Sequence, residues 1–145
     1  MRIKEVEYDS DEWAAARRIR YSLFYEPVGL PESVLDDSIE RVAFRIVLVD
    51  GSVVGGCGRL SINDESEGII SQMAVLPKYQ GTGAGRTIML ALLDKAKSLG
   101  ISSLRLSGRL TARGFYEKFG FVAIGASFPS KTTGVEHIEM ILRRA

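Results

Sequence analysis

Three glycines alternate with single residues in Gln80-Gly81-Thr82-Gly83-Ala84-Gly85-Arg86, and the neighbouring segments limit what such a run can form. Upstream, residues 68–76 are largely apolar and end at Pro77, as a strand does. Downstream, Ile88, Leu92, Ala96 and Leu99 recur at helical spacing, Lys95 and Lys97 fall on the solvated side, and Gly100 stands where a helix is capped. The glycines therefore turn the chain from a strand into a long helix. Amide hydrogens left free there point outward, and the helix dipole adds partial positive charge. Arg86 and Lys78 can add side-chain charge to this anion site. Glycine spacing alone fits a plain surface loop equally well. A P-loop would need Gly-Lys-Ser/Thr, which is absent. A dinucleotide fingerprint would need an acidic residue about 20 positions on, and residues 100–107 hold none. A diphosphate carrying some other group fits better.

The remaining pattern predicts one α/β domain over residues 1–145, a mixed, mainly antiparallel sheet flanked by helices. Asp9 with Glu12 has capping-box spacing ahead of a first helix, which residues 26–31 interrupt with two prolines. A short helix is expected over 32–39. Strands are expected over 43–49 and 53–60, joined by Asp50-Gly51, and over 68–76. A strand over 101–107, a helix over 111–119 stopped by Gly120, and strands over 121–128 and 135–142 complete the order. The 145 residues suffice for one core, and 19 basic against 18 acidic residues give no electrostatic case for a nucleic-acid partner. One cysteine, Cys57, and one histidine, far apart in sequence, imply neither a disulfide nor a metal site.

A second run, Phe115-Tyr116-Glu117-Lys118-Phe119-Gly120-Phe121, puts Phe115 and Phe119 on an apolar stripe with Tyr116 rotated off it. A tyrosine so placed is either a surface aromatic or a proton donor for a thiolate leaving group. Together the two runs resemble the GNAT N-acetyltransferase superfamily. Residues 80–85 are similar to its Gln/Arg-x-x-Gly-x-Gly/Ala pyrophosphate motif, and residues 115–121 to its Phe-Tyr-Glu-Lys-x-Gly-Phe motif. The resemblance follows element order along nearly the whole chain and is specific over residues 73–121. The tail Glu136-His137-Ile138-Glu139-Met140 also resembles the ending of a small bacterial acetyltransferase subgroup.

The resemblance implies transfer of acetyl from acetyl-CoA, the cosubstrate, to an amine by direct attack through a tetrahedral intermediate. It implies that Met73 and Val75 hold the pantetheine arm through backbone groups of a splayed strand. Gln80, Gly81, Thr82, Gly83, Ala84, Gly85, Arg86 and Thr87 would hold the pyrophosphate, and Tyr116 would protonate the thiolate. Arg109 is a departure, because the family often has an asparagine there. The base is open: Glu67 through a water chain or His137 are the candidates, each against an ordinary structural role. Asp36 and Asp37 could receive a cationic amine, and Tyr21, Phe24 and Tyr25 could line its pocket. Trp13 reads as core.

The sequence names the acceptor only by class, a small-molecule amine or a peptide amine. The competing function is a non-catalytic acyl-CoA-binding or regulatory module, which explains the phosphate turn without needing a base. Interleaved charges over residues 1–5 lack the apolar run of a signal peptide. No apolar stretch reaches the roughly 20 residues that cross a bilayer, so the expected location is the cytoplasm without membrane partners. Arg17-Arg18-Ile19-Arg20 and Arg143-Arg144 read as solvated charge. Exposed sheet edges allow a homodimer.

Overall fold

The computed structural model describes residues 1–143; Arg144, half of the terminal basic pair, lies outside them. A seven-stranded sheet runs in the order β1-β2-β3-β4-β5-β7-β6. Its strands are β1 (Arg2–Glu5), β2 (Phe44–Asp50), β3 (Val53–Ile62), β4 (Gly68–Val75), β5 (Ser103–Arg109), β6 (Val122–Pro129) and β7 (Glu136–Arg143). The β4–β5 pair is parallel and the others are antiparallel. Helix α1 (Asp11–Arg20) covers one face, while α2 (Ala84–Ser98) covers the other, with the short α3 (Arg113–Glu117) beside it.

The apolar run of β2 reflects burial on both faces. Ile46 and Leu48 enter the core beneath α2, and the alternating Val47 and Val49 enter the core beneath α1. Helix α2 presents Ala84, Ile88, Leu92 and Ala96 at four-residue intervals, all buried. It comes close to the sheet because Gly56 and Gly58 of β3 lie beneath it. A methyl group on Gly58 would stand 2.8 Å from Leu92 Cδ1.

Several local expectations need correction. Ser10, not Asp9, caps α1: its hydroxyl accepts from the Trp13 amide at 3.1 Å and donates to the Glu7 carbonyl at 2.7 Å. Glu12 is then one place short of the capping-box position, and its carboxylate is paired with Lys4. The helix expected over 32–39 is a single 3₁₀ turn, Glu32–Leu35. Beyond it the backbone is held by Arg17 and Arg59, which pair with Asp36 and Asp37. The helix over 111–119 begins as a 3₁₀ turn at Leu110–Ala112. Strand β1 carries one apolar residue among charges, and its pairing with β2, rather than any pattern of its own, makes it a strand.

Beneath α1 lies a buried ion network. Glu40 is 1% exposed and accepts from Trp13 Nε1 at 2.9 Å, Arg17 at 2.7 Å, Arg20 at 2.9 Å and Arg59 at 2.8 Å. Burial alone would raise its carboxyl above the ordinary 4.5, but the Arg20 charge and the hydrogen bonds from Arg17, Arg20 and Trp13 outweigh that and hold it below. Asp37 is held below its ordinary 3.8 in the same way: desolvation raises it, and Arg59 more than compensates. Folded-state values lower than unfolded ones contribute stability above about pH 4.5 that is lost as pH falls through the folded values. Urea denaturation should therefore show the midpoint dropping below that pH. Glu40→Ala, which removes the buried carboxylate shared by Arg17, Arg20 and Arg59, should cost about 3–5 kcal/mol at neutral pH. A wild-type midpoint for Glu40→Ala would show the network to be energetically idle.

Candidate functional site

Strand β4 pairs β5 only at Gly68↔Leu104, Ile69↔Arg105 and Ile70↔Leu106. Past Ile70 the two strands separate. The cause lies on the other edge of β4, where the register with β3 shifts between Cys57↔Ala74 and Arg59↔Ser71. Three steps of β4 there oppose two of β3, the count of a β-bulge. Gln72 sits in the bulge with φ of 56°, a left-handed value costly for a residue with a side chain. That conformation is anchored. The Gln72 carboxamide oxygen accepts from Arg20 Nε at 3.1 Å and its amide donates to the Tyr25 hydroxyl at 2.9 Å.

The separation opens a cavity of about 440 Å³ lined by Gln72 to Val75 of β4, Ser107 to Arg109 of β5, Tyr116, Phe24 and Tyr25, and by His137 with the loop at Ser130 to Thr133. Gln80 joins it at the rim, its side chain donating to the Val75 carbonyl at 2.9 Å. The β5-facing backbone of residues 72–75 has no strand partner, so it is available to an extended amide-bearing chain.

Beyond the rim, Gly81 and Gly83 take φ of 78° and 87°, and Gly83 is the N-cap of α2. The amides of Gly81, Gly83, Ala84, Gly85 and Arg86 make no hydrogen bond to other described residues. Thr82 uses its amide and hydroxyl on the Tyr79 carbonyl, and the Thr87 hydroxyl donates to the Gly83 carbonyl at 3.0 Å. The two threonines thus brace the turn, and the five open amides face outward at the positive end of a fifteen-residue helix. This donor set fits a pyrophosphate, and the unpaired β4 edge fits the amides of a pantetheine arm. The Phe115 ring packs over Gly85, with two ring carbons 3.4 Å from where a methyl would stand.

Tyr116 lies across Gly108, where an added methyl would meet its Cε2 at 2.4 Å. Burial raises its phenol above the ordinary 10.0, so it is protonated at neutral pH, and its hydroxyl has no hydrogen-bond partner among the described residues. His137 Nδ1 is 2.7 Å from the Val135 carbonyl. A carbonyl only accepts, so Nδ1 carries a proton and Nε2 is the nitrogen left open.

Glu67 does not reach this cavity. It precedes the paired end of β4, where its carboxylate holds Arg105 at 2.8 Å and receives Ser103 and Asn63. The Arg105 hydrogen bond, followed by that of Asn63, keeps it ionised below the ordinary 4.5. Five residues of strand separate it from Gln72, a distance of about 17 Å. Asp36 and Asp37 are likewise engaged, with Arg17 and Arg59. Trp13 is fully buried. Cys57 is buried as well, its thiol pushed up to about 12 by desolvation. Tyr21 donates to the Leu30 carbonyl at 2.8 Å and is absent from the cavity lining. Sequence pattern did not single out Gln72 for its bulge, nor Phe128 and the loop at Ser130 to Thr133. No local signal marks them, because tertiary pairing alone brings them together.

The family model of the acetyltransferase (GNAT) family matches residues 10–121. A Bacillus subtilis (strain 168) protein named as an acetyltransferase is 29% identical over 143 residues, covering 97% of this chain and 95% of its own. Among solved structures, Escherichia coli ElaA superposes with a TM-score of 0.82 at 16% identity, over 100% of both chains. An acyl-CoA N-acyltransferase from Pseudomonas aeruginosa gives 0.81 at 19% identity, over 99% of each. At those identities the structural likeness speaks for the fold.

Gly83→Ala should weaken acetyl-CoA binding on the order of tenfold in calorimetry, since a left-handed residue with a side chain costs about 1–2 kcal/mol and the turn would relax to avoid it. Unchanged affinity, with the variant folded, would remove the amide turn from the cofactor site.

Proposed function

The chain belongs to the acetyltransferase (GNAT) family, and from that premise we propose how its own residues divide the reaction. It transfers acetyl from acetyl-CoA to an amine, and the acceptor is a small molecule or an exposed peptide amine. In the proposed division, the amides of Gly81 and of Gly83 to Arg86 receive the pyrophosphate, and the open edge of β4 at Met73 to Val75 receives the pantetheine. The amine enters the cavity from the side of Phe24 and Tyr25. It attacks the thioester carbonyl carbon, whose oxygen gains charge that a β4 backbone amide can stabilise. The C–S bond then breaks. Tyr116 supplies the proton that the departing sulfur needs, and His137 Nε2 accepts the proton that the attacking nitrogen loses.

The observation that carries this reading is that one cavity presents a protonated phenol together with an imidazole whose Nε2 is left open. Tyr116 holds its proton, the Val135 carbonyl engages His137 Nδ1 and not Nε2, and among the described residues no carboxylate lines the space. A module that only binds acyl-CoA would need the turn and the open strand edge but neither of these groups.

Tyr116→Phe should lower turnover by about 10²-fold or more with acetyl-CoA affinity retained in calorimetry. Turnover equal to wild type across pH would reject the acid role. His137→Gln should lower kcat/KM by about 10²-fold at neutral pH and recover as the medium itself deprotonates the amine. A uniform loss that persists at high pH would assign His137 to architecture instead.

A further inference from the structure

The cavity is electrostatically one-sided. Arg109 and Lys131 line it, no aspartate or glutamate does, and neither cation belongs to any ion pair among the described residues. The acidic groups that the sequence offered to an incoming cation are engaged elsewhere: Asp36 and Asp37 with arginines, Glu67 with Arg105.

Strand alternation fixes which side of the sheet Arg109 occupies. Leu104 and Leu106 enter the α2 core, and Gly108 receives Tyr116 from that same side. Arg109 therefore points the other way, toward the layer built by α1. Its guanidinium lies 4.9 Å from the centre of the Phe24 ring, which packs against the α1 core. In the register, Arg109 stands opposite His137, and His137 opposite Phe128, so the three form one row across β5, β7 and β6. Lys131 belongs to the β6–β7 loop, which is stiffened where Ser130 Oγ accepts from the amides of Thr132 and Thr133 at 3.2 and 3.3 Å. Arg109 thus stands on the acceptor side, with a planar donor fork held on an aromatic ring, beside the imidazole that faces the amine. The arginine at this position has been directed away from Tyr116.

We propose that the acceptor is a small primary amine bearing an anionic group, a carboxylate or a phosphate, which Arg109 binds in its fork and Lys131 covers, leaving the amine toward His137. This rests on the reading that the cavity is where acetyl transfer occurs. The substrate's own anion offsets the cationic surround, which would otherwise repel an amine that arrives protonated.

The test compares matched probes by release of free CoA: β-alanine with β-alaninamide, O-phosphoethanolamine with ethanolamine, and putrescine as a dication. At least one anionic probe should exceed its uncharged partner in kcat/KM by about tenfold or more, as a charge-assisted hydrogen bond requires, and the favoured pair tells carboxylate from phosphate. Arg109→Gln should collapse that ratio toward one through KM, Arg109→Lys should restore part of it, and the exposed Arg18→Gln should leave it intact. Acetyl-CoA affinity by calorimetry should stay unchanged in both Arg109 variants. Equal rates within each pair, a preference for putrescine, or a ratio that survives Arg109→Gln would overturn the inference while transfer itself stands. So would an Arg109→Gln effect seen in acetyl-CoA affinity and absent from the ratio. Transfer to none of the small probes, with acetyl-CoA bound and a peptide amine acetylated, would likewise overturn the inference and leave the transfer reading standing.

Discussion

Strand β4 keeps company with β5 for three residue pairs and then leaves it, and the open strand edge and the cavity that both Tyr116 and His137 line depend on that departure. A parallel pair continued to Val75 would bury the backbone groups of residues 72–75 in a ladder and leave no slot. The bulge at Gln72 breaks the pairing. An extra residue increases local twist and re-aims the strand beyond it, so β4 runs on toward the glycine turn while β5 runs on toward α3. The turn and the slot are therefore parts of one path: the end of β4 feeds the start of α2 within about nine residues.

A left-handed glutamine persists only when its surroundings hold it. Here the holding groups belong to the ion network under α1. Arg20 donates to both Glu40 and Gln72, Arg59 to Glu40, Asp37 and Ser71, so the start of the bulge at Ser71 and Gln72 is tied through two arginines to one buried carboxylate. Such a network is weak evidence for stability in itself, since desolvation offsets most of the Coulomb gain. Its value here is positional: an apolar core could fill the volume but could not hold a carboxamide at a chosen place. Tyr25 extends the chain of contacts from Gln72 into the cavity wall.

Much of the fold was legible because its signals are local. Periodicity placed α2 and the central strands, and the glycine spacing placed the turn that opens α2, since φ of 78° and 87° at Gly81 and Gly83 is a demand that sequence expresses directly. Other features were not legible. Strand β1 exists by pairing with β2, and Ser10 rather than Asp9 is the cap, which puts Glu12 one place short of the capping-box position and leaves its carboxylate to Lys4. Glu67 was a reasonable base by its closeness in sequence to the central strand, but it lies at the closed end, and sequence carries no record of which end opens. The direction of Arg109 required the strand phase set by Gly108 against Tyr116, a contact between residues on two different elements.

The distribution of charge ties these features together. The acids nearest the sheet are spent on structure, Glu40 and Asp37 in the network and Glu67 on Arg105, which leaves the cavity with cations and an imidazole. The anionic group of the proposed acceptor would balance those cations, so its amine can enter without an acid in the wall to receive it. The Val135 carbonyl engages His137 Nδ1 and leaves Nε2 open. Among the described residues, the lack of an acidic side chain in the lining thus follows from how the fold uses its carboxylates.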